Sequence, residues 1–326
     1  MNKKLIIAFI TCFLLSRLFI SQKSPEQPAT DFYSIDFLRN SPAVEKALKD
    51  RGFFEVNFQT HDNLMINAIM LDQSQDRDVC ATIISCPGFV PGRKEGMSTL
   101  YAMLQDQPYN FIFIDSRGHG KSDGQLLTYQ GIKHYGESQY LDVVGAIEYI
   151  TTYNKEHNIS SNIIIHGLCS GAYHTIKAVG DLKNSKPEMY HNIKGIVLDS
   201  AWPSINDIIK TVVQAESTER CKNYHTPFLQ PYLAYALQKF YDICFKATHK
   251  KQRPITEIID TIDQPILFIH AENDNYVPVE TIYPLIETSK NPTSWIVKDS
   301  LHVNNHLLHK EKYKDQLQSF IQSVNV

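Results

Sequence analysis

Apolar positions along this chain fall into two kinds of run. From Phe53 to Thr60 they alternate, with Phe54, Val56 and Phe58 on one face, and Leu64 to Met70 alternates again. A period of two predicts half-buried strands, and the turn residues His61-Asp62-Asn63 between them make the pair a hairpin. Later runs are short and continuous: Val79–Ser85, Asn110–Ile114, Ile163–Ile165, Ile193–Leu198 and Pro265–Ile269, with a last short strand at Ser294–Lys298. Such runs predict strands covered on both faces, as in a parallel sheet.

Helical spacing separates them, clearest in Tyr140, Leu141, Val144, Ile147 and Ile150. Strands alternating with helices predict an α/β architecture: a mostly parallel sheet, helices on both faces and an antiparallel hairpin at one edge. In open sheets of this class, ligands bind beyond the carboxyl ends of the strands, so the residues just after each apolar run are the ones to inspect. Residues 203–262 lack strand character but place Tyr232, Leu233, Tyr235, Ala236, Phe240 and Tyr241 at helical spacing. A structureless loop of that length is foreign to a compact domain, so the segment reads as a helical cap inserted into a domain spanning residues 31–326.

The first 30 residues differ from the rest. Asn2-Lys3-Lys4 is basic, Leu5 to Ile20 is apolar except for polar Thr11, Ser16 and charged Arg17, and Ser21 to Thr30 is a polar, proline-containing linker. This pattern fits a secretory signal peptide or an uncleaved signal anchor. It places the domain outside the cytoplasm, exported or held at a membrane through this segment. The run is shorter than the roughly 20 residues that span a bilayer comfortably.

Composition narrows the classes. Hydrophobic residues make up 43% and charged residues 21% of the 326, with a net charge of −3, a globular balance with no basic stripe for nucleic acid. Of six cysteines, Cys12 lies in the leader. An odd number would remain without it, so at least one thiol stays unpaired. Cys80 and Cys86 share one strand and cannot readily bridge. Cys221 and Cys244 could pair across a helical segment. The cysteine spacings match no zinc pattern.

The chemistry gathers at the strand ends. Gly167-Leu168-Cys169-Ser170-Gly171 sits between an apolar strand and the helical stretch Ala172–Val179. A nucleophile on so sharp a turn needs small residues two before and two after it. Cys169 meets that requirement, whereas Ser170 would put Leu168 at a small-residue position. A thiol at a helix N-terminus is stabilised as thiolate. The Ser170 N–H then faces the developing oxyanion. The second donor should come from Cys86-Pro87-Gly88-Phe89, where Gly88 allows close approach and Phe89 N–H is the candidate. Further along, Asp274 is the candidate to orient a histidine, with Glu272 as runner-up, and His302 is the candidate base. His306 and His309 would join His302 in a metal site only if a helix began at His302. Asp115 to Gly124, with three glycines, frames a tight turn. His119, Glu137, Asp142 and Asp199 read as structural.

On these residues the chain resembles the α/β-hydrolase superfamily from about Phe53 to Val326. Its nearest look is to serine-aminopeptidase-like (S33-type) hydrolases, lysophospholipase-like enzymes and related esterases. The resemblance rests on Asp115–Gly124, Gly167–Gly171, the segment through Asp274–Pro278, and His302. It implies an eight-stranded-type sheet, a Cys169–His302–Asp274 triad, an oxyanion hole at Phe89 and Ser170, a small acyl-bearing substrate, and neither cofactor nor metal. The departure is cysteine where most members carry serine, as in dienelactone hydrolases and certain acyl-CoA:amino-acid acyltransferases. The expected activity is hydrolysis of an ester or thioester through an acyl-cysteine. The rivals are acyl transfer through the same thioester and ligand binding on a hydrolase scaffold. Oligomeric state has no signature in the sequence.

Overall fold

The computed structural model describes residues 41–89, 92–126, 128–223 and 226–324, so the leader and linker lie outside the described residues. Eight strands form one sheet: β1 Phe54–Gln59, β2 Met65–Leu71, β3 Ala81–Cys86, β4 Tyr109–Ile114, β5 Ile163–Leu168, β6 Ile193–Asp199, β7 Ile266–Ala271 and β8 Pro292–Val297. Their order is β1-β2-β4-β3-β5-β6-β7-β8. β1–β2 and β2–β4 pair antiparallel, and every other neighbour is parallel. This is the expected α/β-hydrolase architecture, with the hairpin at one edge.

Alternation explains the two-sided core. Ile84, Ile112, Ile114, Ile165, Ile196, Leu198 and Phe268 point to one cluster, while Ile83, Phe111, Phe113, Ile164, Val197, Leu267 and Ile269 point to the other. The longer helices are numbered α1 Ser41–Lys49, α2 Ser98–Leu104, α3 Tyr140–Glu156, α4 Ser170–Ser185, α5 Ile205–Asn223, α6 Gln230–Cys244 and α7 Lys310–Ser323. α3 and α4 cover the first face; α1, α2 and α7 cover the second. Burying a Leu, Ile or Phe side chain contributes about 1.5–3 kcal/mol each, so both layers hold the sheet. Between β6 and β7 the chain passes through α5, α6 and shorter helices. α6 packs Leu237 and Tyr241 inward, and the Tyr241 phenol donates to Asn206 on α5 at 2.9 Å.

Some boundaries differ from expectation. β5 does not stop at Ile165 but runs through His166 to Leu168, because His166 is buried and bonded on both sides, to Ser85 and to Tyr313. Phe54 is 39% exposed although Val56 and Phe58 beside it are buried, since β1 is the sheet edge. Cys80 precedes β3, and Cys86 ends it. Cys221 and Cys244 do not pair; both are free thiols. Among the described residues no helix is long and apolar enough to cross a membrane.

Candidate active site

The parallel register brings three strand ends together. Cys86 lies beside Gly167, and Leu168 lies beside Asp199. The chain leaves β5 at Leu168 and enters α4 at Ser170, so Cys169 alone makes the turn. It does so at φ 53°, ψ −112°, a conformation costing a non-glycine residue about 1–3 kcal/mol. Its surroundings hold it there. The Cys169 N–H donates to the Asp199 carbonyl at 2.7 Å, and the Cys169 carbonyl accepts from Ala172 and Tyr173. The flanking glycines are required by space. A methyl group on Gly167 would lie 2.6 Å from the Ala172 Cα, and one on Gly171 would run into the carbonyls of Cys86 and Pro87. Gly88 approaches so closely that its own methyl would stand 3.3 Å from the Cys169 Cβ.

Cys169 is partly exposed, while Ser170 is buried as the first residue of α4. The Tyr135 phenol meets His174 Nε2 on α4 at 3.3 Å. Ser170 is therefore closed off within the fold, whereas Cys169 at the apex keeps access to solvent.

His302 Nε2 lies 3.3 Å from Cys169 Sγ, and its Nδ1 lies 2.7 Å from Asp274 Oδ2. The other oxygen of Asp274 accepts the N–H groups of Tyr276 and Val277 at 2.9 and 2.8 Å. The carboxylate is thus fixed by its own turn and offers one oxygen to the imidazole. The Tyr276 ring lies against His302 at 5.3 Å, and the Tyr276 carbonyl accepts from Thr211 on α5. Burial disfavours a charged imidazole here, but a thiolate at Cys169 and the Asp274 carboxylate outweigh it and push His302 up to about 10. His302 is therefore poised to hold a proton opposite the sulfur.

The layer beneath is polar and closed. The Asp199 carboxylate accepts from Ser200 Oγ at 2.9 Å, Asn305 Nδ2 at 2.8 Å and the Tyr313 phenol at 3.0 Å. Tyr313 is also bonded to His166, and His166 to Ser85, each at 3.0 Å. Burial holds the Asp199 carboxyl above its ordinary range. Ser200 and Val303 both have positive φ, at 58° and 52°, and the Val303 N–H reaches Ser200 Oγ at 3.4 Å. Asp199 thus ties the Cys169 turn, through its carbonyl, to the His302 loop, through its side chain. A cavity of about 10 Å³ lies alongside, lined by Leu168, His166, His306 and Tyr313 among others.

The remaining candidates separate cleanly. Phe89 lies just past Gly88, with its ring edge-on to Tyr135 at 4.9 Å and to His119 at 6.1 Å. Glu272 is exposed and its backbone N–H bonds to Val297, so the runner-up carboxylate is on the surface. The helix after His302 begins at Asn305, not at His302, which removes the alignment that the three-histidine metal alternative needed. His306 is half-buried against Tyr313, and loss of solvent around the ring pushes it down to about 4. Among the described residues no group of His, Cys, Asp or Glu could hold a metal ion. In the Asp115–Gly124 turn, Asp115 accepts from the Lys94 ammonium at 2.7 Å and from the Lys121 N–H at 3.0 Å. Arg117 binds Asp142 at 2.8 Å. Sequence reasoning missed Tyr135, Lys94 and the Asp199–Tyr313–His166 chain; only the strand-end position of Asp199 hinted at them.

No family model matches this chain. The uncharacterized protein YqkD of Bacillus subtilis (strain 168) is 24% identical over 253 residues, 76% of this chain and 73% of that protein. Among solved structures, an esterase of Pyrococcus furiosus superposes with a TM-score of 0.65 at 21% identity, covering 84% of this chain and 93% of its own. An α/β hydrolase from Penicillium sp. sh18 gives 0.59 at 16% identity, covering 83% and 98%. A bacterial membrane phospholipase A gives 0.60 at 16% identity, covering all of both chains. At these identities the likeness establishes the α/β-hydrolase fold.

Proposed function

We propose that this α/β-hydrolase-fold protein hydrolyses an ester or thioester through a covalent acyl-cysteine at Cys169. The observation that carries this reading is the unbroken line from Asp274 to His302 to Cys169, at 2.7 and 3.3 Å, ending on a residue at φ 53°. Its direction, from oriented carboxylate through imidazole to a partly exposed nucleophile, is that of a catalytic triad. The esterase and phospholipase among the structural neighbours act on ester bonds as their names state, which agrees with the reading.

In acylation the sulfur attacks the carbonyl carbon, and its electron pair forms the C–S bond. The carbonyl π pair moves onto oxygen, which the N–H groups of Ser170 and Phe89 receive. The first N–H groups of a helix have no partner within it, so that of Ser170 is suited to this role. Collapse expels the alkoxide or thiolate, which takes the proton from His302. Acylation also consumes the thiolate that raises His302. Its basicity then falls toward what Asp274 alone sustains, and it can take a proton from water. Water attacks the thioester as His302 takes its proton, and collapse releases the acid and returns Cys169 as thiolate beside the protonated imidazole.

Mass spectrometry tests this with a panel of acyl esters and acyl thioesters, on the full chain beside Cys169→Ala and Ser170→Ala. An acyl adduct on Cys169 that persists in Ser170→Ala and vanishes in Cys169→Ala is expected. An adduct on Ser170, or Cys169→Ala turning over like the parent, sinks the reading. Product that appears only with an added amine or alcohol acceptor would replace hydrolysis by acyl transfer.

A further inference from the structure

Helix α6 is apolar on two faces, and only one of them is used by the fold. Leu237 and Tyr241 face inward, 8% and 5% exposed. On the other side Phe228, Tyr232, Tyr235 and Ile243 stand 70%, 74%, 66% and 68% exposed. Steps of four, three and eight put them in one stripe along the helix and the turn leading into it. Half of the exposed large apolar side chains among the described residues fall in this one segment, Leu229 included, so they are not the scattered singles of an ordinary surface. Lys239 lies within the stripe, its ammonium 5.5 Å from the Tyr235 ring centre. Lys246, Lys250 and Lys251 follow and are exposed. From Phe228 to Lys251 these four lysines face a single carboxylate, Asp242, itself 3.2 Å from Lys246. The segment is basic within a chain of net charge −3.

We propose that this face of the cap docks on an anionic lipid surface, with Phe228, Tyr232, Tyr235 and Ile243 entering the headgroup boundary and the lysines meeting lipid phosphates. Aromatic and aliphatic residues on one side of a helix with interleaved lysines are the composition of an interfacial helix. Tyrosine suits the headgroup level, where its ring is buried and its hydroxyl wet. A second copy of the chain is the poorer occupant. A two-fold contact sets a surface against itself, which would press Lys239 and its neighbours against their own copies. An anionic bilayer accepts both the rings and the charge. The start of the chain points the same way: a basic residue pair and the apolar run Leu5–Ile20 are what bring a domain to a membrane. The inference is independent of the chemistry assigned to Cys169.

The test uses the full chain reconstituted with vesicles of phosphatidylcholine and phosphatidylglycerol. Tyr232→Trp introduces an indole on the face, and the unsubstituted chain supplies the background from Trp202 and Trp295. The introduced emission should shift to the blue and be quenched by lipids brominated on their acyl chains. Adding Lys239→Glu and Lys250→Glu should reverse both effects, at roughly fivefold fewer docked caps for each lysine lost. Tyr235→Trp repeats the experiment at a second exposed position. Emission that vesicles leave unmoved overturns the proposal. So does equal quenching in phosphatidylcholine alone, or a blue emission without vesicles that follows protein concentration, which would give the face to a second copy.

Discussion

Replacing Asp274 by asparagine changes one atom and tests the whole relay. Oδ1 of Asp274 accepts two backbone N–H groups, from Tyr276 and Val277, while Oδ2 receives His302 Nδ1. An asparagine carbonyl can serve only one of these duties. Left on the backbone N–H groups, it turns the amide NH₂ toward His302. Nδ1 must then accept, the imidazole proton moves to Nε2, and Nε2 can no longer take the thiol proton. A wrong tautomer of this kind costs roughly 10⁴-fold in a related triad. Turned the other way, the amide keeps the tautomer but leaves two N–H groups without an acceptor. At about 1–3 kcal/mol each, that is roughly 30-fold to 10⁴-fold if charged to the transition state. Both routes also remove the charge that helps raise His302. The assay is single-turnover acylation by an activated ester, with circular dichroism to show that the variant is folded. Asp274→Asn should acylate at least about 30-fold more slowly, and Glu272→Gln, on the surface, at the parent rate. An Asp274→Asn rate within about threefold of the parent refutes the assignment.

Three further outcomes follow from the same geometry. Tyr313→Phe leaves His166 Nε2 and Asp199 Oδ2 without their bridge and should cost about 2–4 kcal/mol in urea unfolding. Asp199 is already held above its ordinary range and would rise further, so the folded state binds its proton more tightly than the unfolded one. The penalty therefore grows as pH rises above the ordinary carboxylate range, and a penalty independent of pH contradicts this. Gly167→Ala drives a methyl group to 2.6 Å from backbone, where neither side can yield. A loss of about 3 kcal/mol or more is expected, and a melting curve matching the parent's would show the turn to be looser than described. Finally, the Cys169 thiolate helps push His302 up to about 10, so Cys169→Ala should lower the His302 titration midpoint by NMR. His302 stabilises the fold at pH below its ordinary value, and that contribution is lost as pH rises toward 10. An unchanged midpoint in Cys169→Ala would separate the two groups.

The sheet was legible because its inner strands β3 to β7 are buried on both faces and appear as continuous apolar runs, while the edge hairpin shows as alternation. The sharp turn at Cys169 was legible because it needs the two glycines at fixed offsets on either side. What stayed hidden depends on distance along the chain. Tyr313 meets Asp199 across 114 positions and His166 across 147, and no local periodicity marks such a partner. His166 looked like a strand end because it is polar; its two hydrogen bonds make it a core residue. The burial of Lys94 is similarly unreadable, since lysine enters a core only when paired, and its partner Asp115 lies 21 positions away. Asp274 and His302 are readable from their places after the last two strands and from the resemblance; side-chain placement adds that Glu272 lies on the surface and that the helix bearing His306 begins at Asn305, apart from His302.

Cys169 and His302 are 133 positions apart, which bears on how the protein is made. A ribosome delivers the thiol long before the imidazole that faces it in the fold. Until His302 has emerged, Cys169 stands without the imidazole that faces it at 3.3 Å in the fold. On the role proposed for Cys169, the order of residues along the gene would hold back the chemistry until the imidazole has been made.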